Sequence, residues 1–215
     1  SLWHSERGEC YDPVSGAAAL ATAWSGSGGR SMTEVTVFRV WLNPRPDQGY
    51  VVIFKEAEGD RAIPMAIGVH EARAIQMAMD GIVIERPLTH DLFVNILDEL
   101  DTELLRVEIA KYRDGTYYAD LVLQRGSETF SVDARPSDCA AIAVRCGAPI
   151  LASEEVFQAA DARVIQEEDG FTLVSGVESH TVEDHASGID EDESQGDLEA
   201  FRRIITDADL EEDDS

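Results

Sequence analysis

The chain has 215 residues, 44% of them hydrophobic, and a formal net charge of −26 from 43 acidic and 17 basic residues. That apolar share is enough to build a core, while the charge argues against a broad basic face that would draw nucleic acid from a distance. Lys55 and Lys111 are the only lysines. Abundant carboxylates with so little lysine suit concentrated salt, where the Debye length falls to roughly 3 Å at about 1 M and short-range contacts must hold any anionic partner.

Cys10, Cys139 and Cys146 are odd in number and form no CxxC or Cys/His ligand pattern. Cys139 and Cys146 share a helical face about 10 Å apart, too far for a disulfide, so they read as core residues in a reducing compartment. No apolar run approaches the roughly 18 residues of a membrane span, and the Ala-rich stretch Gly16 to Trp24 lacks the basic flank of a signal peptide. A cytoplasmic protein without a membrane partner is expected.

Residues 1–31 are Gly/Ser/Ala-rich and read as a disordered leader or non-native extension, with Met32 as the start. Val35 to Leu42 predicts a strand ended by Asn43-Pro44-Arg45-Pro46, followed by strands at Tyr50–Lys55 and Ala62–Ile67. Glu71–Met79 has helical spacing, with Ala74, Ile75, Ala78 and Met79 on one face. Ile82–Glu85 reads as a short strand. Thr89–Leu100 reads as a helix burying Leu92, Phe93, Ile96, Leu97 and Leu100. Leu104–Tyr112 and Thr116–Leu123 form a hairpin about Asp114-Gly115, and Arg125-Gly126 turns into Glu128–Val132. A helix follows over Ser137–Arg145, then a strand at Pro149–Leu151 and a helix at Glu154–Ala160. Phe171–Val174 adds a strand. The domain is placed at 32–168, and 169–215 is an acidic, mostly disordered tail in which Leu198, Phe201, Ile204 and Ile205 fit an amphipathic helix.

Three strands and a helix occur twice, at 35–79 and 104–145; an offset of 67 aligns Ile75 with Ile142 and Glu71 with Asp138. Such an echo fits a β3-α duplication. The fold class is α+β: one compact domain with a mixed, mainly antiparallel sheet and helices.

Two segments carry the chemistry. Arg86-Pro87-Leu88-Thr89-His90-Asp91 and Asp133-Ala134-Arg135-Pro136-Ser137-Asp138 each set Arg-Pro, a hydroxyl and an acid at a helix entry. Thr89 and Ser137 suit N-caps, and Asp91 and Asp138 suit a first helical turn. Capping asks for neither the arginines nor His90. Helix amides with Arg86 and Arg135 form a phosphate cradle. Asp91, Asp133, Asp138 and Glu71 offer oxygen ligands for Mg²⁺ or Mn²⁺, and His90 can carry a proton near neutral pH. These are the parts of a phosphodiesterase.

The two segments, with Ile67-Gly68-Val69-His70-Glu71-Ala72 and the stretch from Pro149-Ile150 to Glu154-Glu155-Val156, resemble the bifunctional nuclease domain family over roughly Met32 to Gln158. The resemblance implies a compact α+β domain, commonly a homodimer, that acts on both DNA and RNA. Among the matching positions, our inference makes Asp91, Asp138 and Glu71 metal-binding or water-activating acids and His90 the proton carrier. Arg86 and Arg135 clamp phosphate with Thr89 and Ser137 beside them, and Asp133 joins Asp91 and Asp138 as a metal ligand. No zinc set is present, and no nucleotide cofactor is expected. An acidic tail stands where some family members carry a helical module. The competing readings are a non-catalytic nucleotide-binding or regulatory module of the same fold, and a purely structural dimer.

Overall fold

The computed structural model describes residues 31–42, 49–167, 170–176 and 178–183, the last of these by backbone alone. Most of the expected leader, the Asn43–Pro46 turn, Cys10 and the Leu198–Ile205 segment lie outside the described residues. In chain order the elements are β1 (Met32–Leu42), β2 (Tyr50–Glu56), β3 (Arg61–Ile67), α1 (Val69–Met79), α2 (Thr89–Glu99), β4 (Thr102–Arg113) and β5 (Thr116–Arg125). There follow β6 (Glu128–Ala134), α3 (Pro136–Cys146), β7 (Ile150–Ser153), α4 (Glu154–Ala160), β8 (Ala162–Glu167), β9 (Gly170–Ser175) and β10 (Glu178–Glu183). The class is α+β, and among the described strands β4 and β7 pair in parallel while the other mapped pairs are antiparallel.

Contacts divide the chain into two compact units interleaved in sequence. The first runs to Thr36 and resumes over Glu85–Ala159. Here β4 and β5 form the expected hairpin, its turn residues Asp114 and Gly115 at φ 49 and 80. Positive φ at both positions is what a two-residue turn needs to match strand twist, and Gly115 reaches it without a Cβ penalty. β5 continues antiparallel into β6, and β7 lies between the start of β1 and β4. α2 and α3 pack on β4, α3 also on β5. Val107, Ile109, Leu121, Ile150 and Ala152 are buried together with Cys139, Ala140, Ala141, Ile142 and Ala143 of α3. Those mostly small side chains let the helix bury more than a whole turn. Pro136 opens α3 at its first position, and Gly147 closes it at φ 65, the left-handed value that glycine tolerates.

The second unit comprises Val37–Ile84 and the chain from Ala160 onward. β2, β3, β8, β9 and β10 lie side by side, with the remainder of β1 next to β2. Trp41, Val51, Ile53, Ala62, Ala162, Val164, Phe171 and Leu173 form its core, and Phe38 meets Phe171 edge-on at 5.3 Å. α1 packs on β2 and buries Ala72, Ala74 and Ile75.

Four expectations need correction. Cys146, read as a core residue, is exposed at the end of α3, while Cys139 is buried. The 168/169 boundary divides the β8–β9 hairpin, and buried Phe171 and Leu173 show that the core continues past it. Ile82–Glu85 is not a strand: Ile82 and Val83 are 53% and 93% exposed, because β-branched residues without a partner strand have no ladder to join. On α2, Leu92, Ile96 and Leu100 point to solvent, and the inward residues are Leu97 and the half-buried His90, Phe93 and Val94. The repeat has a counterpart in the fold. Each unit carries three sequential strands side by side followed by a helix, β1–β2–β3–α1 and β4–β5–β6–α3.

Candidate active site where α2 meets α3

The two Arg-Pro segments come together within the first unit. Pro87-Leu88 leads into α2 and Arg135-Pro136 into α3, and the two helices pack on each other. Helix entry falls one or two residues earlier than the hydroxyls suggest. Leu88 and Arg135 are the N-caps, so Thr89 is the first helical residue of α2 and Ser137 the second of α3. Neither hydroxyl caps its helix; Thr89 is exposed and Ser137 is buried.

Asp91 and Asp138 occupy the third helical position of their helices. Asp91 Oδ2 accepts from the backbone N–H of Leu88 at 2.9 Å, half of a capping box. Its Oδ1 accepts from Arg145 Nε at 2.5 Å. Asp138 takes the Arg135 fork, Nε to Oδ2 at 2.7 Å and Nη2 to Oδ1 at 3.0 Å. His90 Nε2 then lies 3.2 Å from the same Oδ1, joining the first turn of α2 to that of α3.

Burial tends to raise the pKa of Asp91, but hydrogen bonds from Arg145 and Leu88 outweigh it and hold the carboxyl below its ordinary value. Burial likewise opposes the ionised form of Asp138, and Arg135 and His90 bring it below the ordinary value. Asp138 is therefore an anion at neutral pH, and an anion beside Nε2 of His90 favours a proton on that ring nitrogen.

Neither Arg86 nor Asp133 joins these bonds among the described residues. Arg86 is exposed and forms no ion pair among the described residues. Asp133 is exposed on β6, opposite Asp120 of β5. Glu71 belongs to the other unit, where its carboxylate folds back over the start of α1: a Cβ built on Gly68 would stand 2.4 Å from Oε2.

Arg145 is the residue that sequence reasoning missed. Its one signal was a cation in the last turn of α3, which the helix dipole alone explains. Among the described residues no group of three or more His, Cys, Asp or Glu is arranged to hold a metal ion. Asp91 and Asp138 already give their oxygens to guanidinium and amide donors. As arranged, this donor set does not fit the oxygen-rich shell of Mg²⁺ or Mn²⁺. Among the described residues no helix is long and apolar enough to cross a membrane.

An α+β domain with two Arg-Pro helix entries joined by a histidine–carboxylate contact defines the class, and the bifunctional nuclease domain profile matches residues 52–164. The chain belongs to that family. An uncharacterized protein of Mycobacterium tuberculosis is 40% identical over 138 residues, 64% of this chain and 82% of that protein. Bifunctional nuclease 1 of Arabidopsis thaliana is 33% identical over 95 residues, 43% of this chain and 29% of its own length. Bifunctional nuclease 2 of the same plant is 27% identical over 126 residues, 57% of this chain and 38% of its own.

Proposed function

We propose that the protein hydrolyses phosphodiester bonds of RNA and DNA at the α2–α3 junction, with His90 as the general base. The observation that carries this reading is the contact of His90 Nε2 with Asp138 Oδ1, in which the anion orients the imidazole and Arg135 fixes the anion. Membership of the bifunctional nuclease family supports it, as do the plant relatives that bear that name.

In the reaction a water gives its proton to Nδ1 of His90 while its oxygen bonds to phosphorus. The bond from phosphorus to the leaving sugar oxygen breaks, and that oxygen is protonated by the imidazolium or by solvent. Arg86 and the solvent-facing edge of Arg135 neutralise the non-bridging oxygens. No step here runs through a metal, because Asp91 and Asp138, two of the acids proposed as ligands, are engaged by arginines. A net charge of −26 makes molar salt the condition in which an anionic chain approaches most readily.

The test is single-turnover cleavage of labelled RNA and single-stranded DNA in molar KCl, with Mg²⁺, with Mn²⁺ and with EDTA. His90→Ala loses cleavage by about 10²- to 10⁴-fold while circular dichroism stays native. Full activity in that variant sinks the assignment, and complete loss in EDTA returns a divalent cation to the mechanism. The saturation of Asp91 and Asp138 by arginine favours a second reading, a nucleotide-binding or regulatory module. Nucleotide binding without cleavage under every condition selects it.

A further inference from the structure

The β4–β5 hairpin carries an exposed aromatic ring beside a lysine near its turn. Lys111 of β4 stands opposite Tyr118 of β5, just past a register shift between Ile109 and Lys111. Ile109 pairs with Ala119 and Lys111 with Tyr118, so two residues that a regular strand would point the same way point to opposite faces. The extra residue is Ala110, whose carbonyl accepts the Ser153 hydroxyl at 2.9 Å. This pinned bulge turns Lys111, one of only two lysines in the chain, away from the buried face of Ile109 and onto the side of Tyr118. Tyr118 is 43% exposed there. Arg113, also exposed, lies on the same face two pairs nearer the turn.

That face leads to the α2–α3 junction. β5 and β6 pair as far as Ala119 and Ala134, and the next residue, Arg135, keeps an extended backbone as the N-cap of α3. Continuing the register sets Arg135 opposite Tyr118, with the ring between it and Lys111. Cross-strand neighbours on one face lie about 5 Å apart at Cβ, so the three residues make a short row across the sheet. One end of the row is the fork that holds Asp138 against His90. The next pairs on this face, further from the turn, set Glu108, Asp120 and Asp133 in a second row, of carboxylates. Phosphates running down the strands would meet those acids. A chain that crosses the sheet along Lys111, Tyr118 and Arg135 meets two cations and a ring instead.

We propose that Tyr118 and Lys111 form a nucleotide subsite beside the reacting phosphate, where a base of single-stranded nucleic acid stacks on the ring and the lysine holds the adjoining phosphate. An aromatic ring accepts any base, so the subsite gives affinity without sequence preference. A base inside a duplex already stacks on its neighbours and cannot lie on Tyr118, so the subsite selects single strands. It also gives a chain of net charge −26 a short-range hold on an anionic strand in strong salt, where long-range repulsion is screened. The inference rests on the reading of the α2–α3 junction as a phosphodiesterase, because Arg135 is what sets the subsite next to His90.

The test is fluorescence anisotropy of the full chain with a labelled oligothymidylate of about eight nucleotides, from moderate to molar KCl, on a His90→Ala background that keeps the strand intact. Tyr118→Ala weakens binding about tenfold with a native circular dichroism spectrum, and Tyr118→Phe binds as the parent does. An abasic oligomer of the same length binds the parent about tenfold more weakly, and Tyr118→Ala costs it nothing further. Lys111→Gln lowers the slope of log affinity against log KCl by about 0.7. The abasic comparison needs no variant, so it decides the matter even if Tyr118→Ala fails to fold. The subsite is overturned if Tyr118→Ala leaves oligothymidylate binding unchanged, or if the abasic oligomer or a duplex binds the parent as tightly. Cleavage of labelled RNA by the unsubstituted chain, measured alongside, separates the two readings. A chain that cuts while Tyr118→Ala binds normally keeps the nuclease and loses the subsite. One that binds through Tyr118 and never cuts keeps the base-binding ring and loses the hydrolysis, and one that neither binds nor cuts loses both.

Discussion

Asp91 at the start of α2 and Arg145 at the end of α3 are 54 residues apart in sequence and hydrogen-bonded at 2.5 Å in the fold. The guanidinium is held at a second point, where Nη1 donates to the Ala141 carbonyl at 2.8 Å. With side-chain exposures of 11% and 31%, the pair is mostly screened from water. It acts as a latch that sets α2 against α3 and so fixes the reach from His90 to Asp138.

Arg145→Met keeps the apolar stem and removes the latch. Loss of a hydrogen bond to a charged group costs about 1.5–3 kcal/mol, and chemical denaturation at neutral pH should read a loss in that range. Asp91→Asn, which keeps the shape and can still accept from Leu88 N–H, should lose less. A double-mutant cycle gives a positive coupling between the two positions. Additive effects would mean that the contact carries no stability of its own.

How much of this was readable beforehand differs by residue. Glu71, Asp91 and Asp138 each stand at the third position of a helix, a regularity visible as an acid at or just after each predicted helix start. The union of the two Arg-Pro segments was legible only as a requirement of the chemistry, since no local pattern links residues 48 apart such as His90 and Asp138. Arg145 was hidden for the same reason. The orientation of α2 was misread because apolar residues fill both its inward set, Phe93, Val94 and Leu97, and its outward row. Periodicity finds a stripe but cannot say which stripe the core claims. β8 and β10 went unseen because Arg, Gln, Glu and His interrupt them, and β-sheet pairing is decided by neighbours more than by composition.

Acid should weaken the site as Asp91 and Asp138 take up protons. The folded-state pKa values of Asp91 and Asp138 lie below their ordinary values, burial notwithstanding, because arginine, His90 and amide donors favour the anions. A depressed folded value means the stabilisation is complete above the unfolded value, about 3.9, and is lost as pH falls from there through the folded value. Denaturation midpoints should therefore drop through that window. In Asp91→Asn with Asp138→Asn the slope there should flatten. An unchanged slope would assign the acid sensitivity to other carboxylates.

Ser153 closes β7 and opens α4. Its buried Oγ donates to the Ala110 carbonyl at 2.9 Å and receives the Val156 N–H at 3.4 Å. One hydroxyl thus caps a helix and ties it to β4. Ser153→Ala should cost about 1–2 kcal/mol, at the upper end because the carbonyl left behind is buried from water. Thermal unfolding would register this as a lowered Tm with secondary structure intact, and a neutral change would show that neither bond contributes.

Asp120 works against its own fold. Glu108, Asp120 and Asp133 face one another in register across β4, β5 and β6, and like charges opposite each other weaken a sheet. Burial first, then Asp133 and Glu108, raise the pKa of Asp120, with Lys111 a partial offset. A raised folded value reverses the sign found at Asp91: the penalty is absent below the unfolded value and grows as pH rises through the folded one. Asp120→Asn should therefore stabilise the protein at neutral pH by about 0.2–1 kcal/mol and make no difference near pH 3. Because the repulsion is electrostatic, the gain should also shrink in molar salt. Denaturation of wild type and variant over both ranges tests the two dependences together, and a gain indifferent to pH and salt would trace to packing instead of charge.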